Sequence, residues 1–244
     1  MRRVLSILVF TLPLAADPIG EVRAALDRLG AREPVRATYE LQHSVASEGR
    51  FDNDKFNGKV TVELEGDANG VRFVFPRHLL DTLGREQLAR ARNPELDTPT
   101  VSAIREVDPV STAEAIDFAP SLARLLDGAK LVSDTTSTWQ GKPARVLVVR
   151  VPDRIDKDDA SRVKVLENKL TLWLGADLVP LAAEHFGHLK VSVFLLKMES
   201  REKKSWHLAR VADRLVCARF ERTQSSSGMG QKGNETVVAT LRVH

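Results

Sequence analysis

The chain is poor in several residue types on which common chemistries depend. It has a single cysteine, Cys217, in 244 residues, which excludes an intrachain disulfide and a zinc site of the multi-cysteine kind. Set in the apolar stretch RLVCARF, that thiol reads as a small core residue. Aromatic residues make up only 5% of the chain, too few for the stacking platforms that hold single-stranded nucleic acid. A strong charge of one sign is lacking too. The net charge is +3, and residues 1–16, which hold Arg2 and Arg3 and no acid, account for all but +1 of it. The basic character is therefore no argument for a nucleic-acid partner. No apolar run reaches the roughly 20 residues that a membrane-spanning helix needs.

Catalytic signatures are missing as well. A serine hydrolase of the α/β type would carry its nucleophile in a G-x-S-x-G elbow, and the chain has none. SSSGMG, residues 225–230, lacks the G-x-x-x-x-G-K-[ST] spacing of a phosphate loop and reads as a flexible connection between strands. Two histidines one helical turn apart would suggest zinc hydrolysis, but His185 and His188 in HFGH flank what reads as a turn between strands. Asp153, Asp156, Asp158 and Asp159 cluster without the D-x-[DN]-x-[DN]-G order of a calcium loop and with Arg154, Lys157 and Arg162 among them, so a solvated charged loop is expected. Arg201, Lys203 and Lys204 beside Trp206 read as a charged hairpin tip. No enzyme, no cofactor and no metal is expected on these grounds.

What is present begins with MRRVLSILVFTLPLAA, residues 1–16, where two arginines precede a short apolar run and two alanines, the layout of a secretory signal. Export to the periplasm follows as an expectation, with residues 17–244 as the mature domain. No cysteine near that point would accept a lipid anchor.

Residues 18–30 place Ile19, Val22, Ala25, Leu26 and Leu29 on one helical face behind Pro18. VRATYELQHSV then alternates, with Val35, Ala37, Tyr39, Leu41, His43 and Val45 on one side and polar residues on the other, a long strand with one wet face. GKVTVELEGDANGVRFVFP predicts a hairpin in which Val60, Val62 and Leu64 share a face, Asn69-Gly70 turns, and Val71, Phe73 and Phe75 return. Three- and four-residue spacing over 77–92 and 112–127, punctuated by Pro94, Pro99, Pro109 and Pro120, predicts a helical insertion. Strands resume from Lys130: a hairpin about QGKP, a charged excursion, then KLTLWL, PLAAEHF, LKVSVFLLKM, SWHLARVADRLVCARFERT, a QSSSGMGQKGN loop and ETVVATLRV. Strands joined by short turns, with helices grouped apart, predict an α+β protein on an antiparallel sheet. Its apolar face must be covered, at roughly 25 cal/mol per Å² of apolar surface withdrawn from water. Tight cover makes a plain core; loose cover makes an apolar pocket.

This layout resembles the LolA/LolB-like superfamily of bacterial lipoprotein carriers. The detailed echo lies in AALDRLGAREPVRATYELQ (24–42), TWQGKPARVLVV (138–149) and LTLWLGADLVPLAAE (170–184), the last carrying Trp173, Asp177 and Pro180 about a turn. The resemblance implies a sheet curved into an open half-barrel, with the N-terminal helix and the helical insertion covering the concave face. It further implies a non-catalytic envelope protein that binds a lipid, a lipoprotein acyl chain or another hydrophobic ligand. The ligand-binding residues would be the inward faces of Tyr39, Leu41, Val60, Val62, Leu64, Phe73, Phe75, Leu172 and Leu174. The alternative is an envelope interaction or assembly module with a solid core, whose partner is another protein.

Overall fold

A computed structural model of the protein describes residues 17–30, 33–49, 55–159, 161–193, 196–228 and 230–244; the signal sequence expected over 1–16 lies outside the described residues. The chain builds ten strands and five helices among them. Helix α1 (Pro18–Asp27) leads into strand β1 (Val35–Gly49) and the hairpin of β2 (Lys55–Asp67) and β3 (Gly70–Val74). The helical insertion follows as α2 (Arg77–Arg92), α3 (Pro99–Arg105), α4 (Pro109–Ile116) and α5 (Ala119–Leu125). The rest is a meander of β4 (Lys130–Trp139), β5 (Lys142–Arg150), β6 (Val163–Leu174), β7 (Pro180–Val193), β8 (Leu196–Val211), β9 (Arg214–Gly228) and β10 (Gln231–Val243).

All ten strands join one antiparallel sheet in the order β3-β2-β1-β10-β9-β8-β7-β6-β5-β4, which does not close on itself. The expected α+β half-barrel layout, an open sheet with an N-terminal helix and a helical insertion over one face, is the one found. Among the described residues no helix is long and apolar enough to cross a membrane.

Local chemistry explains the helices. Asp17 caps α1 by accepting a hydrogen bond from the Gly20 amide at 3.0 Å, and Pro18 begins the first turn, where its missing N–H costs nothing. Asp108 caps α4 through the Ser111 amide at 2.8 Å. The helical spacing over residues 112–127 is divided between α4 and α5. Pro120 supplies no amide to continue α4, so it opens α5 instead. One buried cluster runs from Val22 and Leu26 of α1 through Ile116 and Leu122 of α4 and α5 to Leu241 of β10. Arg145 of β5 ties α1 to the sheet edge, contacting Glu21 at 2.7 Å and Asp134 of β4 at 2.7 Å.

Several turns differ from the sequence reading. In the first hairpin Asp67 pairs with Gly70, so Ala68-Asn69 form the loop and Gly70, at φ 140°, takes the conformation that only glycine adopts freely. At QGKP both Gln140 (φ 50°) and Gly141 (φ 79°) are left-handed, the backbone of a two-residue type I′ turn. Strands β6 to β10 run well beyond their apolar segments. His185 and His188 lie inside β7 rather than at a turn; Arg201, Lys203 and Lys204 lie inside β8 rather than at a tip; and most of QSSSGMGQKGN belongs to β9 and β10. The outer halves of β8, β9 and β10 have mostly polar residues on both sides, so the alternation that marks a strand is weak there although the backbone ladder continues.

Candidate functional site

Residues opposite one another in antiparallel strands share a face, so the pairing register reads the concave surface band by band. One band runs Leu172 (β6), Ala183 (β7), Trp206 (β8), Phe220 (β9), Ala239 (β10), Leu41 (β1) and Val60 (β2), entirely apolar. Two residues further along the strands the band is Leu170, His185, Lys204, Arg222, Val237, His43 and Gly58. Another step gives Asn168, Gly187, Glu202, Gln224, Glu235, Val45 and Phe56. The inner face therefore grades from oily to basic to acidic over about 13 Å, at roughly 3.3 Å per residue.

A cavity of about 460 Å³ lies between the oily band and the helices. Its floor is Tyr39, Leu41, Trp206, Phe220 and Ala239; its roof is Thr112, Ala115 and Phe118; His185, Lys204 and Arg222 of the next band stand at one end, and Arg154 is also on the lining. Phe118 on the roof meets Trp206 at 5.5 Å between ring centroids, and Trp206 meets Phe220 at 5.9 Å, a continuous aromatic surface. The size falls within the range of ordinary small-molecule sites.

Electrostatics at the cavity follow from burial. The Tyr39 phenol is pushed up to about 12 because burial penalises its anion, although a hydrogen bond with Thr112 works the other way. The Cys217 thiol is likewise pushed up to about 12 by burial, and its Sγ donates to the Arg219 carbonyl at 3.3 Å. His185 is held below the ordinary histidine value by burial first and by neighbouring Lys204 second; its Nε2 lies 2.7 Å from Asn168 Oδ1.

Of the residues expected to bind a ligand, Tyr39 and Leu41 line this cavity. Val60, Val62, Leu64, Leu172 and Leu174 do not; they are at most 3% exposed and are packed into the common core. Phe73 borders a separate, wider hollow of about 960 Å³ with Pro109, Val110 and Asp117. Phe75 is 40% exposed and stacks on Phe73 at 6.5 Å. Val62 fixes the distinction experimentally. With no exposed surface it has no spare volume beside it, so Val62→Trp is expected to destabilise the fold by about 1–3 kcal/mol, the cost of overpacking. Urea denaturation checks this, and an unchanged midpoint would mean that β2 does face a void.

Sequence reasoning did not identify Phe118, Trp206, Phe220 or Cys217 as neighbours. Spacing about the Ala212-Asp213 turn would set Trp206 opposite Arg219; a β-bulge between His207 and Leu208 shifts the register by one residue and brings Phe220 opposite Trp206 instead, a feature that the sequence does not signal. His185 and His188 cannot converge on a metal, because residues three apart in a strand point to opposite faces. Among the described residues, the ligand-type side chains that do converge are His43, Glu106 and Glu235, whose donor atoms all lie within 4.8 Å of one another. A cation already sits among them. Arg222 Nη2 donates to Glu106 at 2.9 Å and to Glu235 at 2.5 Å, while His43 Nε2 stands 3.3 Å from the same Glu235 oxygen. Glu106 is the C-cap of α3, so this cluster also latches the helical cover to β9 and β10.

Comparison with known proteins adds little. No family profile matches the chain, and no curated protein matches it in sequence. Among solved structures it is similar to a DUF1329 family protein from Desulfovibrio piger, at 9% identity, with 93% of this chain and 92% of that one covered and a TM-score of 0.31. A likeness at that level carries no argument about function.

Proposed function

We propose that the chain is a non-catalytic binding protein that takes a lipid, an acyl chain or another hydrophobic ligand into the cavity under its helical cover, and that it does so in the bacterial envelope. One observation carries this reading: a hollow of about 460 Å³ between the concave face and the helical cover has Trp206 and Phe220 on its floor and Phe118 on its roof. Apolar surface kept unfilled at such a position gains most when a ligand withdraws it from water. The groups at the wall support a role without chemistry. Cys217 is buried and bonded to a carbonyl, and His185 is engaged with Asn168, so neither is set against a partner as nucleophile and base are.

A second reading, an assembly module, draws on one feature. Helix α2 buries only Leu79 and leaves Leu80 and Leu88 52% and 64% exposed, an apolar surface that a protein partner would cover. The experiment that separates the two is native mass spectrometry of protein purified without detergent, together with titration of a fluorescent fatty acid. Copurified lipid or saturable uptake is expected, with Ala239→Phe on the cavity floor reducing uptake at least tenfold while the fold is retained. An empty protein that takes up no probe overturns the reading and leaves the assembly module. The envelope location is tested by fractionating cells that express the full chain.

A further inference from the structure

We propose that the ligand is an amphiphile with an anionic head, oriented with its chain over Trp206 and Phe220 and its head toward Lys204 and Arg154. This rests on the cavity being a ligand site. It names which class of hydrophobic molecule the site selects and which way round it lies.

The graded inner face supplies the orientation. The apolar band forms the cavity floor, and the band two residues on carries His185, Lys204 and Arg222 at the cavity's end. A chain lying along the strands from the floor meets that basic band after about 7 Å. Beyond it stand Glu202 and Glu235, which repel an anion and so confine a negative head to the basic band.

Charge supplies the sign. Arg105, Arg124, Arg154, Lys204 and Arg222 line the cavity against Glu106, Asp108 and Glu114, a surplus of two positive charges. Much of this is committed internally: Arg222 to Glu106 and Glu235, Arg124 to Glu114, and Asp108 to the cap of α4. Among the described residues, the carboxylate that Lys204 meets is the partly exposed Glu202, at 2.9 Å. Arg154 has no carboxylate partner among the described residues; its guanidinium donates to the Arg124 carbonyl at 3.2 Å, leaving its other donors open. A planar guanidinium with free donors and an ammonium on the lining of one cavity are suited to a carboxylate or phosphate and opposed to a cationic head.

The test is competition read by native mass spectrometry among palmitate, hexadecyl phosphate, hexadecanol and hexadecyltrimethylammonium, which share one chain and differ in head. Palmitate or hexadecyl phosphate is expected to exceed hexadecanol in occupancy by at least about tenfold, with the ammonium lowest. Which of the two acids leads tells a carboxylate head from a phosphate one. In the Arg154→Gln/Lys204→Gln double variant the ratio of acid to alcohol occupancy should fall toward parity, with circular dichroism verifying the fold. Equal uptake of the alcohol and both acids would overturn the head assignment and leave the cavity as a ligand site. No uptake of any of the four would remove the underlying reading instead.

Discussion

Gly58→Ala is expected to destabilise the protein by about 3 kcal/mol, the upper part of the range for forcing an extra methyl into a filled space. Elsewhere in a strand the same change is mildly favourable, because glycine gives up more backbone freedom on folding than alanine, by roughly 0.5–1 kcal/mol. Position 58 is different because α3 begins directly above it. A Cβ there would stand 2.0 Å from the Pro99 carbonyl oxygen and 2.8 Å from its carbon. Both are backbone atoms at the start of a helix, so the only relief is to lift α3 from β2. Gly187→Ala is the internal control, since its Cβ would meet nothing nearer than the His185 ring at 3.9 Å. Urea denaturation of the two variants should give shifts of opposite sign or, at the least, a large shift against none. Matching shifts would show that the contact of α3 with the sheet is not closely fixed.

The second large effect concerns the latch. Arg222→Met keeps the bulk of the side chain but removes the guanidinium shared by Glu106 and Glu235. Two carboxylates then face each other beside His43 with no countercharge. Removing one partner of a fully buried pair costs about 3–5 kcal/mol; here the participating side chains keep about a quarter of their surface in water, and a loss of about 2 kcal/mol is expected. Amide exchange should rise in α3 and in its connection to α4, where Glu106 sits, more than in the strands. The same vacancy leaves three converging donors without their cation. Zinc is therefore expected to stabilise the variant, its melting temperature rising with metal concentration, and to leave the parent chain unaffected. A variant as stable as the parent, with unaltered exchange in α3, would mean that the latch does not hold the cover.

These two positions also mark the boundary of what the sequence discloses. Alternation over Val35–Val45 and the turn at QGKP are local signals; they predict the start of β1, which runs four residues further to Gly49, and the β4–β5 hairpin to within two residues. The antiparallel meander follows from turn chemistry in the same way. Gly58, by contrast, reads as an ordinary glycine near a strand start until α3 is placed over it. The band of His185, Lys204 and Arg222 is invisible along the chain because its members come from three strands and align only through register. The ligand-facing residues show the same limit. One apolar face contains both cavity wall and solid core, and periodicity has no means of dividing Leu41 from Val62; the division depends on where the helices rest. Long polar strand ends were lost for the opposite reason, since Ser225–Ser227 carry no apolar stripe and are held in the sheet by backbone pairing.

The unclosed sheet has its own consequence. In a sealed barrel, strand number and stagger together dictate the radius. Here β3 and β4 are the two free margins. The first is only five residues long, and the second, although it exposes Leu131 and Val132, carries Lys130, Asp134 and a bulge between Leu131 and Ser133; a short edge, charge and a bulge each discourage pairing with another chain. No ladder of hydrogen bonds joins these margins, so the curvature of the sheet is set by the twist of its strands and by the helices resting on it, and it can tighten or widen without breaking a single backbone pair.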